Sequence, residues 1–520
     1  MKKLSLKVPE LTARSLVLAA AGSVLIAGSS SYVALRIGAL PWPTIFVAVL
    51  SMAILKPFGA TLREINVAHT GMSAGGLVAG GLAFTLPGVW MSDPGSSMGV
   101  WTAVAAALVG ASLGVVFTGL LRKHFIEELD LPFPMGVAAA QTLQAGDQGG
   151  KGALTLFASC GFAGVIAYLR DAAGVLPPLI GRGPLFSVWL SPMAVGIGFI
   201  IGPLYMGTWA AGAILAHWFM VPVGLASGWF TDGATAAAFR NSLGIGVIVG
   251  AGIAVLFRGA AKSFLRTLAT SAGNLRFAAA ASALSAVVLT FAAGVPLVPS
   301  LLATAGVWIT VVMAATITGQ TGIDPMEIFG ILVLLAVRSL WDIGGQEAFL
   351  VTVVVAVATG LAGDAMQDFR AGAILGTDHR AQLVSEAVGG ISGAVAAAFT
   401  IFLIREAFGA MGPGTDLAAP QAFAVKSMIE GLPDRGAFIL GLLSGLFLTV
   451  AGVPCMTVGI GMYLPVAISL AAGAGGLSRF LANRFFPGSG ERFSLVASGF
   501  LGGEGIAGVL YAIWKVATLG

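Results

Sequence analysis

Long apolar segments follow one another through this chain and constrain its fold more than any other feature. Each runs for roughly 17–25 residues, the length that a helix needs to cross a bilayer. Charged residues make up 10% of the 520 residues, against about 25% in a soluble domain. A soluble protein with so few charges could not cover its surface, and the strands of a barrel would alternate apolar and polar residues. The sequence therefore predicts an all-α polytopic membrane protein.

The apolar segments predict about sixteen transmembrane helices. Several segments are short or interrupted by Gly and Pro, so 14 is the lower count. The predicted spans lie at about 15–35, 41–56, 64–86, 99–121, 152–169, 187–205, 205–222, 240–257, 277–294, 297–318, 326–341, 347–363, 382–404, 437–451, 455–475 and 495–517. Basic residues before the first span, Lys2 and Lys3 among them, predict a cytoplasmic N-terminus.

A phrase that occurs twice predicts an internal duplication. The first copy is Met193-Ala-Val-Gly-Ile-Gly-Phe199 and the second is Met456-Thr-Val-Gly-Ile-Gly-Met462, each with a proline shortly before and after it. In an apolar chain this pattern is typical of a transporter built from two repeats, with its site where the repeats meet. The predicted domains are a first transmembrane repeat over 1–258, a basic connector over 259–276 and a second repeat over 277–520.

Broken or re-entrant helices are predicted at two further places. Residues 131–146 begin with Leu-Pro-Phe-Pro and predict a proline-initiated helix that is too short to cross a bilayer. Residues 318–325, Thr-Gly-Gln-Thr-Gly-Ile-Asp-Pro, break an apolar region with turn residues. Unwound backbone at membrane depth survives only where protein buries it or where it lines a wet cavity, so both are candidate site elements.

Polar residues cluster at the start of the third apolar segment. Asn66, Thr70 and Ser73 are spaced to share one helical face, with His69 beside them and Glu64 two residues before Asn66. The face could bind a polar substrate. Alternatively, Glu64 lies at the membrane interface and the other side chains make hydrogen bonds between helices.

Isolated acids in the second half are the other candidates. Asp324 stands in the 318–327 break, where it binds substrate or only caps a helix. Asp364 and Asp368 share a helical face after an apolar run, as coupling groups or as part of a charged loop. Glu504 lies inside the last apolar segment. An acid within the membrane usually indicates a functional site, and the alternative is a structural acid that is paired with another group. Arg370 is one candidate partner for these acids.

Motifs of other function classes are missing from the sequence. We find no GxxxxGK[ST] phosphate loop, no strong metal-ligand spacing and no Ser/His/Asp or HExxH signature. The chain is therefore expected to use no cofactor or metal, to bind no nucleic acid and to draw any energy from an ion gradient.

Several phrases in order resemble the oligopeptide transporter family, in its bacterial branch near the yellow-stripe-like metal-chelate transporters. They are Ser73-Ala-Gly with Phe84-Thr-Leu-Pro87, Leu131-Pro-Phe-Pro-Met-Gly136, Ser191-Pro192 through Ile201-Gly-Pro203, Thr321-Gly-Ile-Asp-Pro325, Gly363-Asp364 through Gln367-Asp368, and Val458-Gly-Ile-Gly461 with Leu464-Pro465. The resemblance implies about sixteen helices, alternating access and proton-driven uptake of small peptides or peptide-like metal chelates.

The leading hypothesis is therefore a secondary transporter of the inner membrane, with an uncoupled permease or channel for a small polar solute as the alternative. An intramembrane enzyme would need several convergent acids or His residues in one cavity, and we expect no enzyme. A homodimer is a possible assembly. The expected substrate-binding residues are Asn66, His69, Thr70, Ser73, Gln141, Gln320 and Asp324, and the expected proton-coupling residues are Glu64, Asp364, Asp368 and Glu504.

Overall fold

Helices make up nearly all of the structure. The computed structural model describes residues 10–38, 40, 44–147, 151–183, 186–270, 275–321, 324, 326–430 and 434–519. The elements within them are α1 Ala13–Ile37, α2 Thr44–Leu55, α3 Leu62–Ala83, α4 Pro87–Ser92, α5 Val100–Arg122, α6 Pro134–Asp147, α7 Lys151–Ala167, β1 Leu179–Arg182, β2 Phe186–Trp189, α8 Pro192–Ile201, α9 Pro203–Ile214, α10 Val221–Ala226, α11 Gly233–Thr270, α12 Leu275–Ala293, α13 Leu297–Thr321, α14 Met326–Leu340, α15 Gly345–Leu375, α16 His379–Phe408, α17 Pro420–Glu430, α18 Arg435–Val450, α19 Cys455–Tyr463, α20 Val466–Phe485 and α21 Gly490–Leu519. A 3₁₀ turn at Lys56–Phe58 and π-helical turns at Lys123–Glu128, Tyr168–Ala172 and Leu215–Met220 extend some of them.

Ten helical segments among the described residues are long and apolar enough to cross a membrane. They are Ala13–Ile37, Leu62–Ser92, Val100–Glu128, Leu154–Ala172, Pro203–Ala226, Gly233–Ala254, Arg276–Ala293, Leu297–Gly319, Gly345–Leu375 and His379–Phe408. The chain is thus an all-α polytopic membrane protein, apart from the antiparallel hairpin of β1 and β2. The count of sixteen spans stays a prediction.

The chain breaks where Pro and Gly predict breaks. α6 begins at Pro134, and α13 ends at Thr321 before α14 starts at Met326. Gly202 separates α8 from α9 with a φ of +94°, a conformation that favours glycine. Residues 464–465 separate α19 from α20 with extended backbone. One expectation was wrong in detail: residues 187–205 hold β2, α8 and a break, because Pro192 and Gly202 interrupt the apolar run.

The described chain divides into two compact units. The first consists of residues 1–32, 42–154 and 259–406, and the second of residues 33–41, 155–258 and 407–520. Each unit therefore takes chain from both predicted halves. The compact units are therefore not the predicted repeats. The duplication of the sequence into repeats over 1–258 and 277–520 stays a prediction.

In the first unit, α3 and α15 form the core. The apolar windows of both helices are buried throughout, as expected for helices that are apolar around most of their circumference. α15 packs against α3, α5, α13 and α14. Gly71 of α3 and Gly389 of α16 lie so close that a Cβ atom on Gly389 would collide with the Gly71 carbonyl oxygen. Small residues thus bring α16 against α3 at backbone distance.

In the second unit, each copy of the repeated phrase packs against the helix that follows the other copy. α19 contacts α9, and α20 contacts both α8 and α9. A Cβ atom on Gly198 would collide with the carbonyl of Ala472, and one on Gly461 would collide with the carbonyl of Trp209. The Trp209 indole also donates a hydrogen bond of 3.0 Å to the Ser469 hydroxyl. The glycines of the phrase therefore serve close helix packing.

Candidate functional site

Two acids of α15 lie one helical turn apart in the core of the first unit. Asp364 is 1% exposed and Asp368 is 2% exposed. α15 continues unbroken from Gly345 to Leu375, so these residues belong to a buried helix and not to a charged loop. Gly363 provides room beside them, because a Cβ atom there would collide with the carboxyl group of Asp324.

A third acid joins them from α16. Glu386 is fully buried, and one carboxyl oxygen from each of Asp364, Asp368 and Glu386 lies within 4.8 Å of those of the other two. We call these three residues the carboxyl cluster. Carboxylates at this separation repel one another by about 3–4 kcal/mol per pair at an effective dielectric constant of 20. The cluster therefore needs positive charge, from protons or from a bound cation or cationic group.

Donors from α3 reach one member of the cluster. The Ser73 hydroxyl donates to Asp368 Oδ2 at 2.7 Å, and His69 Nδ1 lies 3.5 Å from Asp368 Oδ1. Both side chains are buried. The polar face predicted on α3 thus points at the acids predicted on α15, and the structure brings these two sets of candidates together.

Other oxygens at this site have no hydrogen-bond partner among the described residues. They are Asp364 Oδ2, both carboxyl oxygens of Glu386 and both of Asp324. A buried polar atom without a partner costs about 1–3 kcal/mol, and more when it is charged. Such atoms in a native fold are where a proton, an ion or a substrate group is expected to bind.

Gln382 of α16 connects the three helices behind the cluster. Its side-chain amide donates to the Thr70 hydroxyl at 3.0 Å and to the Asp368 carbonyl at 2.7 Å. Asn66 of α3 donates to the Thr377 hydroxyl at 3.1 Å. Asn66 and Thr70 thus make hydrogen bonds to residues outside α3. This agrees with the alternative hypothesis for this face, in which its side chains connect helices and do not bind substrate.

Gln367 connects both broken segments to α15. Its side-chain oxygen Oε1 accepts a hydrogen bond of 2.7 Å from the backbone amide of Gly136, near the start of α6. Its amide nitrogen donates to the Thr318 carbonyl at 3.3 Å, near the end of α13. The two breaks predicted as site elements therefore meet the helix that carries the acids.

The remaining substrate candidates are more scattered. Asp324 lies in the break between α13 and α14, beside Gly363. Gln141 is exposed on α6. The side chain of Gln320 lies outside the described residues.

Two of the coupling candidates have complete sets of partners. Arg14 holds Glu64 through both carboxyl oxygens, at 2.5 and 2.7 Å. In the second unit, Glu504 accepts from Arg170 at 2.7 Å, from the Ser191 hydroxyl and from the Met193 amide at 2.9 Å. These contacts favour the structural alternatives for Glu64 and Glu504.

Arg370, a candidate partner of the acids, is paired elsewhere. It forms a 2.6 Å ion pair with Asp130. The cluster member that sequence reasoning missed is Glu386. It is an isolated acid inside the predicted span 382–404, the same signal that identified Glu504. The sequence also shows no metal-ligand spacing here, because the three acids come from two helices and meet only in the fold.

Comparison with known proteins decides the family. The family model described as "OPT oligopeptide transporter protein" matches residues 10–276 and 274–515. The chain belongs to the oligopeptide transporter family. This confirms the resemblance seen in the sequence. Members of the family are transporters, so the chain is a membrane transporter and not an enzyme.

Two relatives illustrate the range of the family. A Haemophilus influenzae protein named "Putative oligopeptide transporter" is 25% identical over 94% of this chain and 93% of its own length. A rice protein (Oryza sativa subsp. japonica) named "Probable metal-nicotianamine transporter YSL16" is 31% identical over 28% of this chain and 25% of its own length.

Proposed function

We propose that the protein is a secondary transporter that moves small peptides or peptide-like metal chelates across the inner membrane together with protons. The observation that carries the proposal is the carboxyl cluster of Asp364, Asp368 and Glu386, buried in the helical core with unpaired oxygens. Ionisable groups at membrane depth are costly and typically mark proton or substrate pathways.

The substrate class is supported by the relatives. One is named as a transporter of oligopeptides and the other of metal–nicotianamine, and both substrates carry amines and carboxylates. A cationic amine or a proton would each compensate the negative charge of the cluster. Competition between substrate and proton for the same carboxylates would couple their movements.

The neighbouring side chains have distinct proposed roles. Ser73 holds Asp368 in place through its hydrogen bond, and His69, when protonated, compensates the charge of Asp368 at 3.5 Å. Asp324 extends the set of buried acids toward the break after α13. Loss or gain of a proton among these acids would change the repulsion between α15 and α16, which is a force available for a conformational change.

The alternative is an uncoupled permease for a small polar solute. In that case the cluster binds a cation permanently or stays protonated throughout transport. The two mechanisms differ in one observable property: only a coupled transporter accumulates substrate against its own gradient. We also propose a cytoplasmic N-terminus, supported by Lys2, Lys3 and Lys56 on the predicted inner side.

The test is uptake by the purified protein in liposomes. A labelled mixture of di- to hexapeptides and a mixture of iron chelates are offered separately, with and without an inward proton gradient. Accumulation that depends on the gradient supports coupled transport and names the substrate class. Equilibration without accumulation contradicts coupling and favours the permease.

A matched pair of variants assigns the effect to the cluster. Glu386→Gln removes one cluster charge, whereas Glu347→Gln removes an acid from the first turn of α15, far along the helix from Asp364. The proposal expects gradient-driven accumulation to be lost in the first variant and kept in the second. Equal behaviour of the two variants would contradict the role of the cluster.

A further inference from the structure

The second compact unit contains a charged group that the proposed proton pathway does not use. Arg240 of α11 lies beside the break between α19 and α20. Its Nη1 is 3.3 Å from Nδ1 of His217, whose Nε2 is 2.9 Å from the carbonyl oxygen of Leu464 in the break. When Nε2 carries the hydrogen and donates to Leu464, Nδ1 accepts from the guanidinium. The backbone of the break thus holds His217, and His217 helps to hold Arg240.

The hydrogen-bond partners of Arg240 among the described residues are neutral. Asn241 Oδ1 accepts from its Nη2 at 3.1 Å and from its Nε at 3.3 Å. None of the ion pairs formed by the described residues includes Arg240. A guanidinium removed from water costs several kcal/mol unless an anion accompanies it. Arg240 is half-buried and lies within an apolar segment that can span the membrane, so a counter-ion would stabilise it.

Three acids of the same unit are engaged elsewhere. Asp434 caps α18 by accepting from the Ala437 amide at 2.9 Å. Asp171 and Glu504 both bind Arg170. These carboxylates are therefore committed to other partners, and they leave the charge of Arg240 available to a bound anion.

A second polar group lies at the break. Tyr463, the last residue of α19, is 5% exposed, and its hydroxyl has no hydrogen-bond partner among the described residues. Arg240 lies close enough to interact with it electrostatically. The two are brought together at Gly244, one turn after Arg240, where α11 passes close to the backbone of Gly459 and Tyr463.

The backbone adds positive potential at the same place. α20 begins at Val466, directly after the break, and runs for 20 residues. The first amides of a helix have no intrahelical acceptor and carry its positive end. A cation, an unpaired buried hydroxyl donor and a helix N-terminus are therefore adjacent, which is a combination that suits an anion.

We propose that Arg240, Tyr463 and the start of α20 form a binding site for a carboxylate, with His217 as a positioning residue. The Arg240 guanidinium has five N–H groups, and its contacts with Asn241 and His217 use three of them, so two N–H groups remain for a carboxylate. The identity of the ligand as the carboxylate of a peptide or of a metal chelate rests on the proposed function. The anion site itself does not.

The test is ligand binding by the full-length protein in nanodiscs, without any proton gradient. Thermal unfolding is followed while diglycine or diglycinamide is titrated at constant ionic strength. A second pair of ligands consists of ferric citrate and a ferric hydroxamate chelate without free carboxylates. The two pairs together distinguish a peptide carboxylate from the carboxylate of a metal chelate. In at least one pair, the wild type should bind the ligand that has a free carboxylate with a Kd about tenfold or more lower than that of the ligand without one. This is the difference expected for a charge-assisted hydrogen bond.

Variants assign this preference to the site. Arg240→Gln should reduce the preference to near unity. Arg484→Gln removes an exposed arginine from the end of α20 and should leave the preference unchanged. Arg240→Lys keeps the charge, so that the fold is retained, and should keep part of the preference. Tyr463→Phe should weaken the binding of the carboxylate ligand by several-fold and leave the binding of the amide or hydroxamate ligand unaffected.

Two results would overturn the proposal: an unchanged preference in Arg240→Gln, or no preference for the carboxylate member of either pair in the wild type. Failure of the proposed function looks different. It would appear as gradient-independent uptake, or as unaltered accumulation when the carboxyl cluster is changed, and neither observation involves the preference for carboxylates.

Discussion

Asp368→Asn is the sharpest test of the carboxyl cluster. The substitution keeps the size of the side chain and an oxygen that can accept from Ser73, which lies 2.7 Å from Asp368. It removes one charge from three groups whose oxygens lie within 4.8 Å of one another. Any effect on transport therefore reports on charge more than on packing.

The magnitude follows from the geometry. At an effective dielectric constant of 20, each pair of carboxylates at 4.8 Å repels by about 3.5 kcal/mol. Three ionised carboxylates would cost roughly 10 kcal/mol, as much as the whole stability of many domains. The neutral amide removes two of the three pairs and leaves only Asp364 with Glu386. The cluster should therefore bind protons or a cation more weakly.

The assay is gradient-driven accumulation in liposomes, with thermal unfolding of the same preparation. We expect the accumulation ratio of Asp368→Asn to fall to about unity, which is equilibration, while Tm stays unchanged or rises because repulsion is removed. Wild-type accumulation in this variant would refute the reasoning. A fall in Tm of several degrees would show that Asp368 is instead required for folding.

Three further predictions concern packing and pairing. Glu386→Gln should also abolish accumulation without loss of Tm, measured in the same way, and a double variant with Asp368→Asn should be no worse than either alone. Gly389→Val should destabilise the fold, by about 1–3 kcal/mol for a tolerated overpacking and more if the backbone cannot move, because its side chain would enter the space of the Gly71 carbonyl; denaturant unfolding measures this. Glu504→Gln should lower stability, because it removes a partner of the buried Arg170, yet the accumulation ratio of the folded protein should stay at the wild-type value.

Local features of the chain were predictable because they depend on local chemistry. Pro134 begins α6 because proline suits the first turn of a helix, and the break at Gly202 follows from a backbone conformation that side chains disfavour. The shared face of Asn66, Thr70 and Ser73 follows from helical spacing alone. Each of these conclusions needs only a few neighbouring residues.

The composition of the site was only partly predictable. Asp364 and Asp368 stand out as acids after an apolar run, but the sequence is equally consistent with a charged loop. The structure extends α15 through both acids, since packing against α3, α5, α13 and α14 favours the helix. Glu386 was missed because its partners stand 18 and 22 positions earlier, on another helix.

The sequence by itself determined that this protein is a helical membrane transporter of the oligopeptide transporter family, because apolar length and ordered motifs are properties of the chain alone. Only the tertiary structure decided which polar residues meet. Close approach of α3 and α16 at Gly71 and Gly389 sets Glu386 beside the acids of α15, and packing of α11 on α19 sets Arg240 beside Tyr463. These distances depend on contacts between residues far apart in the chain, which no local pattern specifies.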